Sequence, residues 1–156
     1  LLLSSLPVES FADASEKIQW YLSRWQIEVY FRILKTGCKV EELQLQHRER
    51  IEVAVALYLI VAWRVLYLTR LGRTVPDLSC EVAFSPQEWQ AAYLVSKRQK
   101  PPSQPPRLQE MLTLIAGLGG YLARKGDGPP GPKTLWIGLQ RVRDFALALE
   151  ARDGVA

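Results

Sequence analysis

The chain has 156 residues with 48% hydrophobic content, enough for a real core in one domain or a domain with an appendage. Its formal net charge of +4 permits a polyanionic partner without demanding one. Two cysteines, Cys38 and Cys80, and a single histidine, His47, exclude a disulfide framework, a zinc finger and a His-rich metal site.

In chain order, Leu1 to Leu6 reads as a short strand ended by Pro7. The apolar opening lacks a methionine and the charged start and cleavage site of a signal peptide, so we read the sequence as the C-terminal fragment of a longer protein. Ser10, with Asp13 three positions on, predicts a capped helix start, and the helix should continue to about Lys35 and stop at Gly37. At about 3.6 residues per turn, Leu22, Trp25, Val29 and Ile33 fall on one core-facing stripe. Tyr21, Arg24, Glu28, Arg32 and Lys35 fall on another, with cations on both sides of one carboxylate.

Two readings suit that polar stripe. Opposite charges four residues apart stabilise a solvated helix by about 0.2–0.5 kcal/mol per pair. The same residues also suit a phosphodiester-processing face, where a carboxylate holds a divalent cation and nearby Arg, Lys and phenol groups grip phosphates. Trp20, Trp25, Tyr30 and Phe31, crowded on the same helix, favour the second.

Cys38 to His47 is polar and predicts a short strand or an extended link. Arg48 to Leu71 is the most apolar stretch. Glu52 and Arg64 leave only residues 53–63 uncharged between them, too short to span a membrane, so we expect a helix buried in a soluble core. Gly72 to Ala83 is a turn-rich link. Ser85, Pro86 and Glu88 then begin a helix, running to about Val95, that should bury Trp89 and Tyr93. The Pro-rich segment 97–106 is an extended linker whose basic start, Lys97, Arg98 and Lys100, is better read as a solvated loop than as a DNA contact. Leu108 to about Ala123 is helical, interrupted or ended near Gly117, Gly119 and Gly120, where a close backbone approach would justify the glycines. After a Gly/Pro loop at 126–132, a last helix from about Thr134 carries Leu135, Leu139, Val142, Ala146 and Leu149, a seam for a helix of this chain or of a second one.

Tyr21, two residues, Arg24, three residues, Glu28, six residues and Lys35 together resemble the Tyr-Arg-Glu-Lys signature of bacterial insertion-sequence DDE transposases of the Tn-five type. Arg24-Trp25-x-Ile27-Glu28 and Leu34-Lys35-x-Gly37 fit the same pattern. The opening Leu1 to Val8 resembles the strand before this helix in that family. Phe84 to Glu88, Gly119-Gly120-Tyr121 and Leu135-Trp136 resemble parts of its C-terminal dimerisation region. The similarity thus extends over nearly the whole chain.

The resemblance implies a mainly α fold. Residues 1–74 would be the C-terminal end of a ribonuclease-H-like α/β catalytic domain, one short strand plus the long Glu-bearing helix. Residues 75–156 would be an all-helical dimerisation domain containing the linker 97–106. It implies a cut-and-paste transposase that cleaves DNA ends through a hairpin and joins them to a target. Glu28 would be the catalytic, metal-ligating Glu, with both partner Asp residues upstream of Leu1, so that this fragment is inactive alone. Tyr21, Arg24 and Lys35 would hold DNA-end phosphates, Arg32 would face the same strand, and Lys39 would approach DNA near the catalytic centre. Trp25 invites base stacking, although its place on the apolar stripe favours core packing. The apolar helix 48–71 would pack against the catalytic sheet. The cofactor would be a hard oxygen-ligated ion, Mg2+ or Mn2+. The partners would be transposon-end and target DNA and a second copy of the chain, with no membrane, in the bacterial cytoplasm. Two rivals remain: a non-catalytic subunit that pairs with a full-length transposase and inhibits it, and a helical DNA-binding module.

Overall fold

A computed structural model describes residues 3–153. Among them it has six α-helices: α1 Phe11–Ser23, α2 Trp25–Arg32, α3 Arg48–Thr74, α4 Pro86–Lys97, α5 Leu108–Leu118 and α6 Pro132–Asp153. Short 3-10 turns at Val40–Glu42 and Cys80–Val82 and a π-helical turn at Ile33–Gly37 complete the elements. The mainly α expectation holds. The strand expected at Leu1–Leu6 is not formed over residues 3–6, where nothing described lies alongside to pair with; Leu1 and Leu2 lie outside the described residues.

The core lies where α4, α5 and α6 pack on one another, with α3 laid across α5 and α6. Helix α5 buries Leu108, Met111, Leu112, Ile115 and Ala116, the three- and four-residue steps of a core-facing stripe. Leu135, Val142 and Ala146 of α6 meet them, so that seam is filled from within the chain. Each such side chain contributes about 1.5–3 kcal/mol on leaving water. Close approach of the two helices depends on glycine at both faces. A Cβ on Gly119 would lie 1.8 Å from the Thr134 carbonyl oxygen, and one on Gly138 would lie 1.9 Å from that of Ile115. The Arg141 guanidinium donates to the Leu118 carbonyl and so caps the end of α5 from α6.

The start of α4 is set as its sequence predicts. Ser85 Oγ accepts from the Glu88 N–H at 3.3 Å, and the Ser85 N–H donates to Glu88 Oε2 at 2.9 Å. Glu88 Oε1 also accepts from Arg64 at 2.8 Å, tying α4 to α3. Trp89 is buried and Tyr93 half-buried. Ser85→Ala removes the cap and should lower stability by about 1 kcal/mol, read as a shifted urea midpoint with unchanged slope. The linker expected at 97–106 starts one residue later, since Lys97 ends α4 and Arg98 turns the chain at φ 54°. It is anchored at its end: the Cys80 N–H donates to the Pro106 carbonyl at 2.9 Å and the Leu108 N–H to that of Leu78 at 2.7 Å.

Three expectations for the first half of the chain are corrected. The predicted single helix to Lys35 is tightened at Arg24, where i→i−3 hydrogen bonds replace the regular pattern while the backbone stays helical. It then widens into the π turn, closed by the Cys38 N–H on the Ile33 carbonyl at 2.9 Å. On the core-facing stripe only Ile33 is buried and Val29 half-buried. Leu22, near the end of α1, and Trp25, at the start of α2, are 63% and 56% exposed, where α1 makes its main described contacts with α2 alone. Cys38 to His47 forms a 3-10 turn and an extended link, with no strand among the described residues.

Helix α3 was expected to be buried all round, yet it buries only Ala62, Val65 and Leu68. Leu57, Ile60 and Trp63 are each about 60% exposed, and Trp63 stacks on Tyr67 with centroids 5.3 Å apart. By length and composition α3 is apolar enough to cross a membrane. Its one buried stripe faces α2, the π turn, α5 and α6, and the described chain offers nothing to cover the rest.

Candidate nucleic-acid interface

The polar stripe of α1 and α2 is brought together as its spacing implies, but not in full. The capped start fixes α1: Ser10 Oγ accepts from the Asp13 N–H at 3.1 Å, and the Asp13 carboxylate accepts from the Glu9 N–H at 3.2 Å. A side-chain hydrogen bond between Ser10 and the Asp13 carboxylate, and then the Glu9 N–H, hold the Asp13 carboxyl below its usual pKa. Just past the end of that helix, Arg24 sits over the Tyr21 ring at 5.6 Å and pairs with Glu28 at 3.2 Å. The Glu28 side chain is 39% exposed and Arg24 53%. A phenol, a guanidinium and a carboxylate therefore face solvent side by side.

Lys35 and Arg32 depart from the stripe. The π turn buries the adjacent Ile33 and Leu34 together, and Lys35 pairs with Glu41 of the following 3-10 turn at 3.0 Å instead of Glu28. Lys39, in the left-handed region at φ 53°, pairs with Glu42 at 2.9 Å. Exposed pairs of this kind contribute about 0–1 kcal/mol, so phosphate can displace the carboxylates at little cost. Arg32 makes no ion pair and lines a cleft of about 480 Å3 between α2, α3 and α6. Core packing, favoured for Trp25, is overturned: its indole is exposed and borders a shallow depression beside Val29 and Arg70.

Arg70, Arg73 and Lys133, which the sequence reading passed over, line the same cleft as Arg32. The Arg70-x-x-Arg73 spacing at the end of an apolar helix was the available signal. No group of three or more His, Cys, Asp or Glu capable of holding a metal occurs among the described residues. Glu28 alone does not make a divalent-cation site, and both cysteines are buried, the Cys80 thiol pushed up to about 11 chiefly by burial.

Downstream of this face, the glycine-locked helices match a known family. Residues 60–153 match the family model described as the transposase Tn5 dimerisation domain. The chain belongs to that family. The match takes in the latter part of α3 and all of α4, α5 and α6, the elements that build the core. It also bears out the transposase resemblance over the part that holds Phe84–Glu88, Gly119–Tyr121 and Leu135-Trp136, while Tyr21, Arg24, Glu28 and Lys35 lie outside the matched residues. The chain is thus part of a transposase and carries a dimerisation domain, which supports pairing with a second copy.

Proposed function

We propose that the chain serves a cut-and-paste DNA transposase in two ways, through its dimerisation domain and through a DNA-end-processing face on α1 and α2. The observation that carries the reading is the exposed Tyr21–Arg24–Glu28 grouping just upstream of a transposase Tn5 dimerisation domain. Glu28 would supply one oxygen ligand to a Mg2+ or Mn2+ ion, together with two Asp that the described residues do not include. When bound, such an ion polarises the phosphodiester and lowers the pKa of its bound water. Tyr21, Arg24 and Lys35 hold the phosphates of the DNA end, Arg32 and Lys39 face the same DNA, and Trp25 offers an exposed face for an unstacked base. On this reading residues 1–74 close a ribonuclease-H-like catalytic domain whose sheet covers the exposed side of α3, and residues 75–156 form the dimerisation domain. The work is done in the bacterial cytoplasm on chromosomal or plasmid DNA.

The direct test is Glu28→Gln in the transposase that carries this chain, assayed on labelled transposon-end DNA: cleavage should fail and end binding persist. Lys35→Ala should slow hairpin formation more than first-strand nicking, measured as separate steps on a denaturing gel. Equal losses at both steps would remove Lys35 from the hairpin.

A second reading draws on the family match, which covers the latter part of α3 and α4 to α6 and leaves out Glu28. A chain that pairs without cutting would inhibit a full-length transposase. Added in trans, it should then lower transposition in proportion to its dose, and Glu28→Gln should leave that inhibition unchanged.

A further inference from the structure

We propose that the cleft between α2, α3 and α6 is a phosphate track for one strand of nucleic acid, gripped by Arg32, Arg70, Arg73 and Lys133 and leading past Trp25. Three elements separated in sequence deliver the four cations. Arg32 ends α2, Arg70 and Arg73 lie one turn apart near the end of α3, and Lys133 stands in the first turn of α6. No carboxylate lines the cleft. Among the described residues none of the four cations takes part in an ion pair, whereas Arg24, Lys35, Lys39 and Arg64 each hold a carboxylate.

Gathering positive charge costs stability. Arg32 and Arg73 are partly offset by standing in the last turns of α2 and α3, but Lys133 adds to the cost by standing at the positive end of the α6 dipole. A bound polyanion relieves both. The walls also include Val29, Ile33 and Leu66, so the cleft offers apolar surface beside its cations, the combination that grips sugar and base faces along with phosphates. Its continuation argues for a strand over a small anion. The shallow depression bordered by Trp25 and Gln26 shares Val29 and Arg70 with the cleft, extending the track along α2 as far as Leu22 and Gln19 at the end of α1. That the polyanion is DNA rests on the transposase reading; the cleft itself rests on the geometry.

The test is fluorescence anisotropy of a short labelled DNA single strand titrated with the full chain over a range of salt concentrations. Wild type is compared with Arg70→Ala/Arg73→Ala and with Lys133→Glu. These side chains are exposed, and circular dichroism checks that each variant keeps its helices. The double variant should bind about tenfold more weakly, and its log–log salt slope should be shallower by roughly 0.7 per cation removed. Wild-type binding with variants of equal affinity and slope would overturn the cleft and leave the Glu28 face standing. Failure of wild type to bind any DNA would remove both the cleft and the DNA reading. Complete displacement of the strand by inorganic phosphate at constant ionic strength would show a small-anion pocket and overturn the track.

Discussion

Glu28→Gln in the transposase that carries this chain is expected to cut metal-dependent cleavage of transposon ends on the order of a thousandfold or more, with end binding changed only a few-fold. Gln keeps the volume of Glu and still accepts a hydrogen bond from Arg24, whose guanidinium lies 3.2 Å away. It lacks the charge and the equivalent pair of oxygens that a hard divalent cation requires. Loss of fold would not account for the result. The Arg24–Glu28 pair is an exposed i,i+4 contact, worth about 0.3–0.5 kcal/mol before salt screening. Single-turnover cleavage and filter binding, run side by side, make the measurement. A variant that cleaves at the wild-type rate would reduce Glu28 to one half of a surface ion pair. Equal loss of binding and cleavage would point to a positioning role through Arg24.

The largest structural effect is expected from Gly138→Ala. The added methyl would meet the Ile115 backbone oxygen at 1.9 Å, and Ile115 is a fully buried residue of α5. Relief requires α5 and α6 to move apart, which opens contacts along Leu135 and Val142 as well. The cost should reach or exceed the upper end of the roughly 1–3 kcal/mol typical of overpacking. Against a total stability of about 5–15 kcal/mol, that is a large fraction. Gly117→Ala is the control in the neighbouring helix. Nothing lies within 4 Å of its added methyl, so it should stabilise by about 0.5–1 kcal/mol through helix propensity alone. Urea midpoints of the two variants should therefore move in opposite directions. Movement in the same direction would refute the close-crossing account.

Much of this protein is legible in local chemistry. A Ser-Pro-x-Glu run starts a helix wherever it is placed, because its hydrogen bonds close within four residues, and Ser85–Glu88 forms the box its sequence predicts. The glycines near 119 announced a close approach, although their partner, the backbone around Thr134, could not be named from the sequence. The spacing of Tyr21, Arg24 and Glu28 put three side chains on one face, and they meet there.

The tertiary structure decided what periodicity cannot. Amphipathic spacing says which residues share a face, not whether anything covers it. Leu22 and Trp25 read as core yet stand exposed where α1 meets α2, and much of α3 is likewise left uncovered by the described residues. The π turn broke the register that would have lined Lys35 up with Glu28, through hydrogen bonds that shift by one residue without a strong sequence mark. The gathering of Arg32, Arg70, Arg73 and Lys133 came from chain folding alone, since contacts between α2, α3 and α6 join positions that no local pattern connects.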